Sequence, residues 1–144
     1  MNKRLILIAE DDADDRYLMK TALAETGITE EVQYVENGVE VINFLDSIKE
    51  ENGETNFPKF ILLDLNMPKM DGREVLKKIK SNEAYRKIPV IIFSTTKNQI
   101  EVKRCYDLGA NTYVVKPISY DTLVETIRDI CTYWFNTATL IDVN

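Results

Sequence analysis

Five short apolar runs, separated by helical patterns, constrain the fold of this chain more than any other feature of its 144 residues. The runs are LILIA at 5–9, VQYV at 32–35, FILL at 60–63, VIIF at 90–93 and YVV at 113–115. They are rich in β-branched and aromatic residues and too short for helices, which is typical of strands covered on both faces. Only VQYV alternates in polarity, which predicts that it lies at an edge of the sheet.

Amphipathic patterns fill the intervals between the runs. Apolar residues recur at spacings of three and four over 13–26, 38–50, 72–81, 98–108 and 120–135. Five strands that alternate with five helices predict a parallel α/β sheet with right-handed crossovers. The length suits one domain over the whole of 1–144, with a C-terminal tail at 136–144.

Composition excludes several classes of function. The chain has no histidine and no CxxC pair, which argues against a zinc site and removes Ser-His-Asp and Cys-His catalysis. The formal charge of -6 argues against a nucleic-acid surface, and no run is long enough to span a membrane. The first apolar run meets three acidic residues at once, unlike a signal peptide, so a cytoplasmic protein is expected. Cys105 and Cys131 fall in helical patterns and are expected to be buried thiols.

Polar side chains follow four of the five predicted strands at their carboxyl ends. Glu10 and Asp11 follow the first strand and Asp64 the third; Ser94 and Lys116 end the fourth and fifth. Because the carboxyl ends of parallel strands share one edge, these side chains are expected to converge there. Three clustered carboxylates need a cation, and hard oxygen ligands favour Mg²⁺. A carboxylate flanked by a metal, an ammonium and a hydroxyl group is arranged to attack phosphorus and form an aspartyl phosphate.

Each of these residues also has a structural explanation. A lone strand-end aspartate is usually a cap or turn residue, Lys116 could be an exposed loop lysine, and Ser94 could cap the next helix. Residues 10–15 could be the solvated start of a helix, and they lack the Gly and the distant Glu of an EF-hand loop. These explanations together require a coincidence at four strand ends, so a phosphoacceptor site is the preferred interpretation.

In this order, LILIAEDD, ILLDLNMPKMDG, IPVIIFST and LGANTYVVKP resemble the receiver domain of two-component response regulators, the CheY-like superfamily. The resemblance covers roughly residues 3–135, which would be the core of the domain. The polar segment before FPKFILLD, the run DLNMPKMDGREVL and the aromatic YWF are most similar to small stand-alone receivers that partner bacterial phytochromes and related sensor kinases. The resemblance implies a flavodoxin-like, three-layer (βα)5 fold with a doubly wound parallel sheet of order 2-1-3-4-5.

The resemblance also implies roles for individual residues. Asp64 would accept a phosphoryl group from a histidine of a sensor kinase or a histidine phosphotransfer protein. Mg²⁺, with Mn²⁺ as an alternative, would be bound by Asp11, Asp64 and the backbone carbonyl of Asn66, with Glu10 acting through water. Lys116 would contact the phosphoryl group. The protein would not be an enzyme in the usual sense, since it would catalyse only its own phosphorylation and slow dephosphorylation.

Two switch residues are implied as well. Ser94 would hydrogen-bond the phosphoryl group and Tyr113 would move inward, which would change the surface formed by the fourth helix, fifth strand and fifth helix. The Glu-Asp acidic pair and the serine switch hydroxyl depart from the commoner Asp-Asp and Thr, and both departures are tolerated in the family. Pro68 and Gly72 are expected to shape the loop after the phosphoacceptor, Gly72 through its freedom of dihedral angles. The peptide bond before Pro117 is expected to be cis.

The output and three alternatives remain open at this point. Tyr133, Trp134 and Phe135 either pack the last helix on its own sheet or form a homodimer contact together with the switch surface. Nothing resembles a DNA-binding or catalytic module, so output through protein contact or onward phosphotransfer is expected. A haloacid-dehalogenase-type phosphatase would need a second aspartate where Asn66 lies. A flavin-binding electron carrier of the same fold would place its phosphate against the acidic residues after the first strand, and a purely structural pseudo-receiver would not need them.

Overall fold

The computed structural model describes residues 5–53 and 55–141, and it places a five-stranded parallel sheet between two layers of helices. The strands are β1 (Leu5–Ala9), β2 (Glu31–Val35), β3 (Phe60–Leu63), β4 (Val90–Ser94) and β5 (Thr112–Val115). The helices are α1 (Ala13–Thr26), α2 (Gly38–Ser47), α3 (Gly72–Ser81), α4 (Gln99–Asp107) and α5 (Tyr120–Thr132). The strand order is β2-β1-β3-β4-β5 and every pair is parallel, which confirms the predicted α/β class and the implied order.

Each face of the sheet buries its own apolar cluster, because successive strand side chains point to opposite faces. On one face, residues such as Leu7 and Ile61 pack with α2, α3 and α4. On the other face, Ile8 and Phe60 pack with α1 and α5. β3 and β4 are buried along their whole length, whereas β2 alternates in exposure and lies at an edge, as predicted.

Side-chain caps set the beginnings of the helices. One polar residue before each helix accepts a hydrogen bond from a backbone N–H of the first turn, which satisfies a donor that has no partner inside the helix. These residues are Asp12, Asn37, Asp71, Asn98 and Ser119. The observed bounds of α1 and α3 are those predicted. α2 and α4 are shorter than predicted, α2 because the backbone is already extended at Ile48 and α4 because Asn98 is its cap.

The predicted fifth helix changes its hydrogen-bonding pattern before its end. α5 ends at Thr132, and Tyr133–Thr137 form a π-helical turn. The rings of Trp134 and Phe135 lie 6.4 and 5.4 Å from the Phe60 ring, between centroids, whereas Tyr133 is 52% exposed. Two of the three aromatic residues therefore pack the segment after α5 on its own sheet, and of the three only Tyr133 faces solvent.

Both cysteines are buried free thiols, as predicted. In the part of the chain that the structure describes, every helix is too short or too polar to serve as a transmembrane segment. Parts of the predicted domain bounds, polar segment and tail fall on residues 1–4, 54 and 142–144, which lie outside the described residues.

Candidate functional site

Backbone hydrogen bonds that continue the sheet past its strands place three of the predicted site residues. The N–H groups of Glu10, Asp64 and Lys116 donate to carbonyls of the neighbouring strand or its end, at N···O distances of 3.0, 3.1 and 2.9 Å. Each of these residues directly follows a strand, β1, β3 or β5. The ladder thus holds their backbones rigidly at the carboxyl edge of the sheet, where the sequence predicted convergence.

A cluster of carboxylates forms at this edge. Glu10, Asp11 and Asp64 each present an oxygen within 4.8 Å of the other two. Glu10 and Asp64 are buried, whereas Asp11 is exposed. The Lys116 ammonium pairs with Glu10, and its Nζ lies 3.7 Å from Asp64 Oδ1 and 3.8 Å from Asp15 Oδ2. One ammonium therefore lies among four carboxylates, which leaves the edge with an excess of negative charge.

Burial dominates the protonation of the buried carboxyls. It raises the pKa of Glu10 to about 7, although the hydrogen bond and charge of Lys116 act in the opposite direction. It also raises the pKa of Asp64, against Lys116 and the backbone N–H groups of Leu65 and Asn66. Burial disfavours the Lys116 ammonium, but its hydrogen bond to Glu10 and the neighbouring carboxylates raise its pKa above the ordinary value. A further cation would favour the ionised form of both carboxyls.

The donor set fits a divalent cation of the hard class. Glu10, Asp11 and Asp64 offer only carboxylate oxygens, the ligands that Mg²⁺, Ca²⁺ and Mn²⁺ prefer. Asn66, whose carbonyl was implied as a third protein ligand, lies in the loop two residues after Asp64 and is exposed. The chain contains no histidine to compete for this role.

Two backbone features shape the loop after Asp64. The N–H of Gly72 donates to the carbonyl of Leu65 at 2.8 Å, and a Cβ on Gly72 would lie 2.3 Å from the Asp64 carbonyl oxygen. Gly72 is thus required by close approach of two backbone segments, and the expectation that it is needed for its dihedral angles is wrong. The left-handed residue of this loop is Lys69, with φ of 65°, in a turn where the Pro68 carbonyl accepts the amide two residues later at 2.7 Å.

The two implied switch residues meet at one residue of the β4–α4 loop, residues 95–98. Ser94 is completely buried, and its Oγ accepts a hydrogen bond from the N–H of Thr96 at 3.3 Å. The Tyr113 hydroxyl donates to the carbonyl of Thr96 at 2.8 Å. Burial raises the pKa of Tyr113, the hydrogen bond with Ser94 lowers it, and the charges of Arg73 and Glu101 act on it in opposite directions. The Tyr113 ring therefore points towards the loop that follows Ser94.

The peptide bond between Lys116 and Pro117 is trans, so the expected cis bond is wrong. Trans is the more stable isomer of bonds to proline unless a tight turn requires the other. Here the chain leaves β5 at Lys116, whose N–H is bonded to Ser94, and reaches the α5 cap at Ser119 without such a turn.

Sequence reasoning missed the function of Arg16. Its Nη1 donates to the carbonyls of Glu10 and Asp11 at 2.8 and 3.0 Å, and its Nη2 lies 3.3 Å from Oε1 of Glu36. The guanidinium therefore holds the backbone of both acidic residues and ties it to the end of β2. A single basic residue directly after an acidic run is the only signal in the sequence that points to this role.

Known proteins match the chain over nearly its whole length. Residues 6–128 match the family described as response regulator receiver domain. The chain is 35% identical to the response regulator Rcp1 of Synechocystis over 137 residues, which are 95% of this chain and 92% of Rcp1. The solved structure of the Mn²⁺-bound form of Rcp1 has a TM-score of 0.84 and 34% identity, and covers 96% of this chain and 99% of its own.

Two further solved structures are similar to a comparable degree. The phosphorylated cyanobacterial phytochrome response regulator RcpA has a TM-score of 0.87 and 37% identity, with 97% of this chain and 99% of RcpA covered. The response regulator RPA3017, from red light signaling of R. palustris, has a TM-score of 0.86 and 31% identity, with 96% and 99% covered.

Proposed function

Because the chain belongs to the response regulator receiver domain family, and so takes part in two-component signalling, we propose that Asp64 is its phosphoacceptor. The observation that carries this proposal is the surroundings of Asp64. Its carboxylate is buried at the sheet edge, 3.7 Å from the Lys116 ammonium and within 4.8 Å of oxygens of Glu10 and Asp11. A carboxylate fixed in this way is positioned as a nucleophile rather than as a cap.

The proposed reaction transfers a phosphoryl group to Asp64 from a histidine of the partner protein. The partner must supply this histidine because the chain has none. An oxygen of Asp64 attacks phosphorus in line, the P–N bond breaks, and its electron pair returns to the partner's imidazole. Lys116 then contacts the phosphoryl oxygens and the Ser94 hydroxyl donates to one of them. Bound Mg²⁺, held by Asp11, Asp64 and the carbonyl of Asn66 with Glu10 acting through water, would neutralise charge on the same oxygens.

Phosphorylation would change the loop that both switch residues contact. When the Ser94 hydroxyl turns to the phosphoryl group, it gives up its hydrogen bond to the N–H of Thr96, whose carbonyl accepts from Tyr113. Thr96 lies in the loop that leads into α4, so the α4-β5-α5 surface changes its affinity for partners. The switch is a two-state equilibrium that a local charge biases.

The partner of this reaction is proposed to be a sensor kinase, and the likeness to a cyanobacterial phytochrome response regulator supports this proposal. We infer that the phosphodonor is a phytochrome-type or related histidine kinase, or a histidine phosphotransfer protein, and that output occurs through protein contact rather than through DNA. Phosphotransfer profiling against the sensor kinases of the same genome tests the partner.

A homodimer would use the α4-β5-α5 face, where Ile100 and Tyr106 are exposed, together with Tyr133. Light scattering with and without beryllium fluoride tests the dimer, and a monomer under both conditions contradicts it.

The phosphoacceptor is tested with a small-molecule donor. Wild-type protein incubated with acetyl phosphate and Mg²⁺ should acquire acid-labile, hydroxylamine-sensitive phosphate, and Asp64→Asn should acquire none. Asp107→Asn, which removes one carboxylate from an exposed position of α4, is the matched control and should behave as wild type. Labelling of Asp64→Asn would refute the assignment. Turnover of a phosphate ester would instead favour the phosphatase, for which the known relatives give no support.

A further inference from the structure

We propose that Arg73 and Glu101 form an ion-pair clamp between α3 and α4 that sets the resting balance of the Ser94–Tyr113 switch. This inference rests on the proposed function, since it concerns how readily Asp64 becomes phosphorylated. It assigns a regulatory role to two residues that do not touch the carboxylate cluster. Three observations carry it: the burial of the pair, its position between two loops, and its place on the helix to which Tyr113 is hydrogen-bonded.

The pair is partly buried and connected at both ends. Nε of Arg73 donates to Oε2 of Glu101, and the side chains are only 23% and 22% exposed. Nη1 of Arg73 also donates to Oδ2 of Asp71 at 2.8 Å, and Nη1 of Arg104 lies 3.7 Å from the second oxygen of Glu101. By contrast, the Lys103–Asp107 pair of the same helix is 77% and 64% exposed. Removing one member of the partly buried pair leaves a poorly solvated charge behind, so the pair resists opening.

The pair joins the two loops that the proposed switch uses. Arg73 directly follows Gly72, whose backbone is bonded to Leu65 and lies against the Asp64 carbonyl. Glu101 lies in the first turn of α4, directly after the β4–α4 loop. The clamp therefore fixes the beginning of α4 to the segment that carries the phosphoacceptor.

Tyr113 depends on the position that the clamp gives to α4. Its hydroxyl donates to Thr96 in the loop, and its backbone N–H donates to the hydroxyl of Tyr106 in α4 at 3.0 Å. The charges of Arg73 and Glu101 also act on the Tyr113 hydroxyl. If the clamp opens, the first turn of α4 and the Thr96 carbonyl are free to move, and Tyr113 loses its acceptor. The clamp thus favours the position in which the Tyr113 ring points towards the loop after Ser94 and its hydroxyl is bonded to Thr96. We take this as the inward position, which the proposed switch couples to phosphorylation.

The inference is tested by comparing Glu101→Gln with Asp107→Asn, which makes the same change of charge at an exposed position of the same helix. The full chain is phosphorylated with acetyl phosphate and Mg²⁺, and hydrogen exchange of the backbone amides of residues 95–101 is measured without a donor. We expect Glu101→Gln to lower the initial rate by about threefold or more and to speed exchange in this segment. Asp107→Asn should change neither quantity. Combining Glu101→Gln with Tyr113→Phe should lower the rate less than the product of the two single effects.

Other outcomes decide the matter as well. Equal rates and equal exchange in the two charge variants would overturn the clamp while leaving the phosphoacceptor intact, as would fully multiplicative losses in the double variant. If wild-type protein takes up no phosphate, the proposed function fails, and the exchange measurement alone decides whether the clamp holds α4. If Glu101→Gln does not fold, Arg73→Lys replaces it, because it keeps the charge but cannot donate through Nε to Glu101 and through Nη1 to Asp71 together. The same direction of change is then expected.

Discussion

Gly72→Ala should slow phosphorylation of Asp64 in a chain that still folds. Gly72 is the first residue of α3, and a Cβ there would lie 2.3 Å from the Asp64 carbonyl oxygen and 2.7 Å from the Leu65 Cα. Ordinary contact begins at 3.4 Å, so α3 and the phosphoacceptor loop must separate by about 1 Å. Both neighbours are backbone atoms, and no rotation of a side chain can relieve the overlap.

The two consequences of this displacement differ in size. Overpacking costs about 1–3 kcal/mol, and the helix preference of alanine offsets up to about 1 kcal/mol. The net loss is about 0–3 kcal/mol, which a domain with a typical stability of about 5–15 kcal/mol survives. An error of about 1 Å in the position of a reacting group can cost about 100-fold in rate. We therefore expect the rate of phosphorylation to fall by about 10-fold to 100-fold in a variant that is still folded.

The assay pairs the initial rate of phosphorylation by acetyl phosphate with the midpoint of urea unfolding. Gly27→Ala is the matched control, because Gly27 has φ of 74° at the end of α1, and a Cβ added there would meet no atom within 4 Å. It should lose about 1–2 kcal/mol through left-handed strain and keep its rate. A wild-type rate in Gly72→Ala would refute the reasoning. So would an equal loss of rate in Gly27→Ala, since stability rather than geometry would then be the cause.

Three further predictions concern the metal, a thiol and the aromatic end of the chain. Mg²⁺ at about 100 times its Kd should stabilise the fold by about 2.7 kcal/mol in thermal unfolding, and a chelator should reverse this gain. Asp11→Asn should lose most of the gain. If the variant gains as much stability as the wild-type protein, the proposed set of metal ligands is wrong. Burial raises the pKa of the Cys131 thiol from 9.0 to about 12. At about pH 8 its thiolate is therefore about 1000-fold less populated than that of an exposed cysteine, and a disulfide reagent should label it only as the chain unfolds. Because an unfolded chain ionises this thiol from about pH 9, stability should also fall between about pH 9 and 12, and rapid labelling of native protein would contradict both statements. Phe135→Ala should cost about 2 kcal/mol or more in urea unfolding and Tyr133→Ala less than about 0.5 kcal/mol, and equal costs would contradict the packing of Phe135 on the sheet.

The local sequence was sufficient to predict the bounds of helices that single cap residues begin or end. α1 and α3 have their predicted bounds because Asp12 and Asp71 are caps and Gly27 ends α1 in the left-handed conformation. α2 ends earlier than predicted at a residue, Ile48, that is neither glycine nor proline, so no local signal marks the end. No local signal in the sequence marks the π-helical turn after Thr132 either. This turn accompanies the packing of Trp134 and Phe135 against the sheet, which depends on distant residues.

The convergence of the site residues could be predicted because it requires topology alone. Any parallel sheet brings the residues after its strands to one edge, so Glu10, Asp64 and Lys116 lie at the same edge whatever the details of packing. The order of the strands was a different matter, since periodicity does not specify neighbours and the order came from the resemblance. The trans bond before Pro117 shows the limit of such transfer, because it depends on the path of this particular loop.

Contacts between distant segments could not be predicted from one sequence. Arg73 and Glu101 are 28 residues apart, and nothing in the sequence pairs the run that contains Arg73 with the first turn of the fourth helix. Arg16 reaches Glu36 across the edge of the sheet for the same kind of reason. The role of Gly72 also required distances, since a glycine at a helix start has several common explanations and only the overlap with the Asp64 backbone selects one.

The position of Thr96 explains why a weak clamp can matter to the switch. Its N–H donates a hydrogen bond to Ser94, and its carbonyl accepts one from Tyr113. The two switch residues are therefore coupled through one residue and two hydrogen bonds. Each such bond contributes about 0.5–1.5 kcal/mol net, and about 1.4 kcal/mol changes a population tenfold. An ion pair that resists opening by a similar amount therefore competes with the switch itself. In the unphosphorylated protein, the populations of the two switch states would then depend on the Arg73–Glu101 pair as much as on the residues that touch the phosphoryl group.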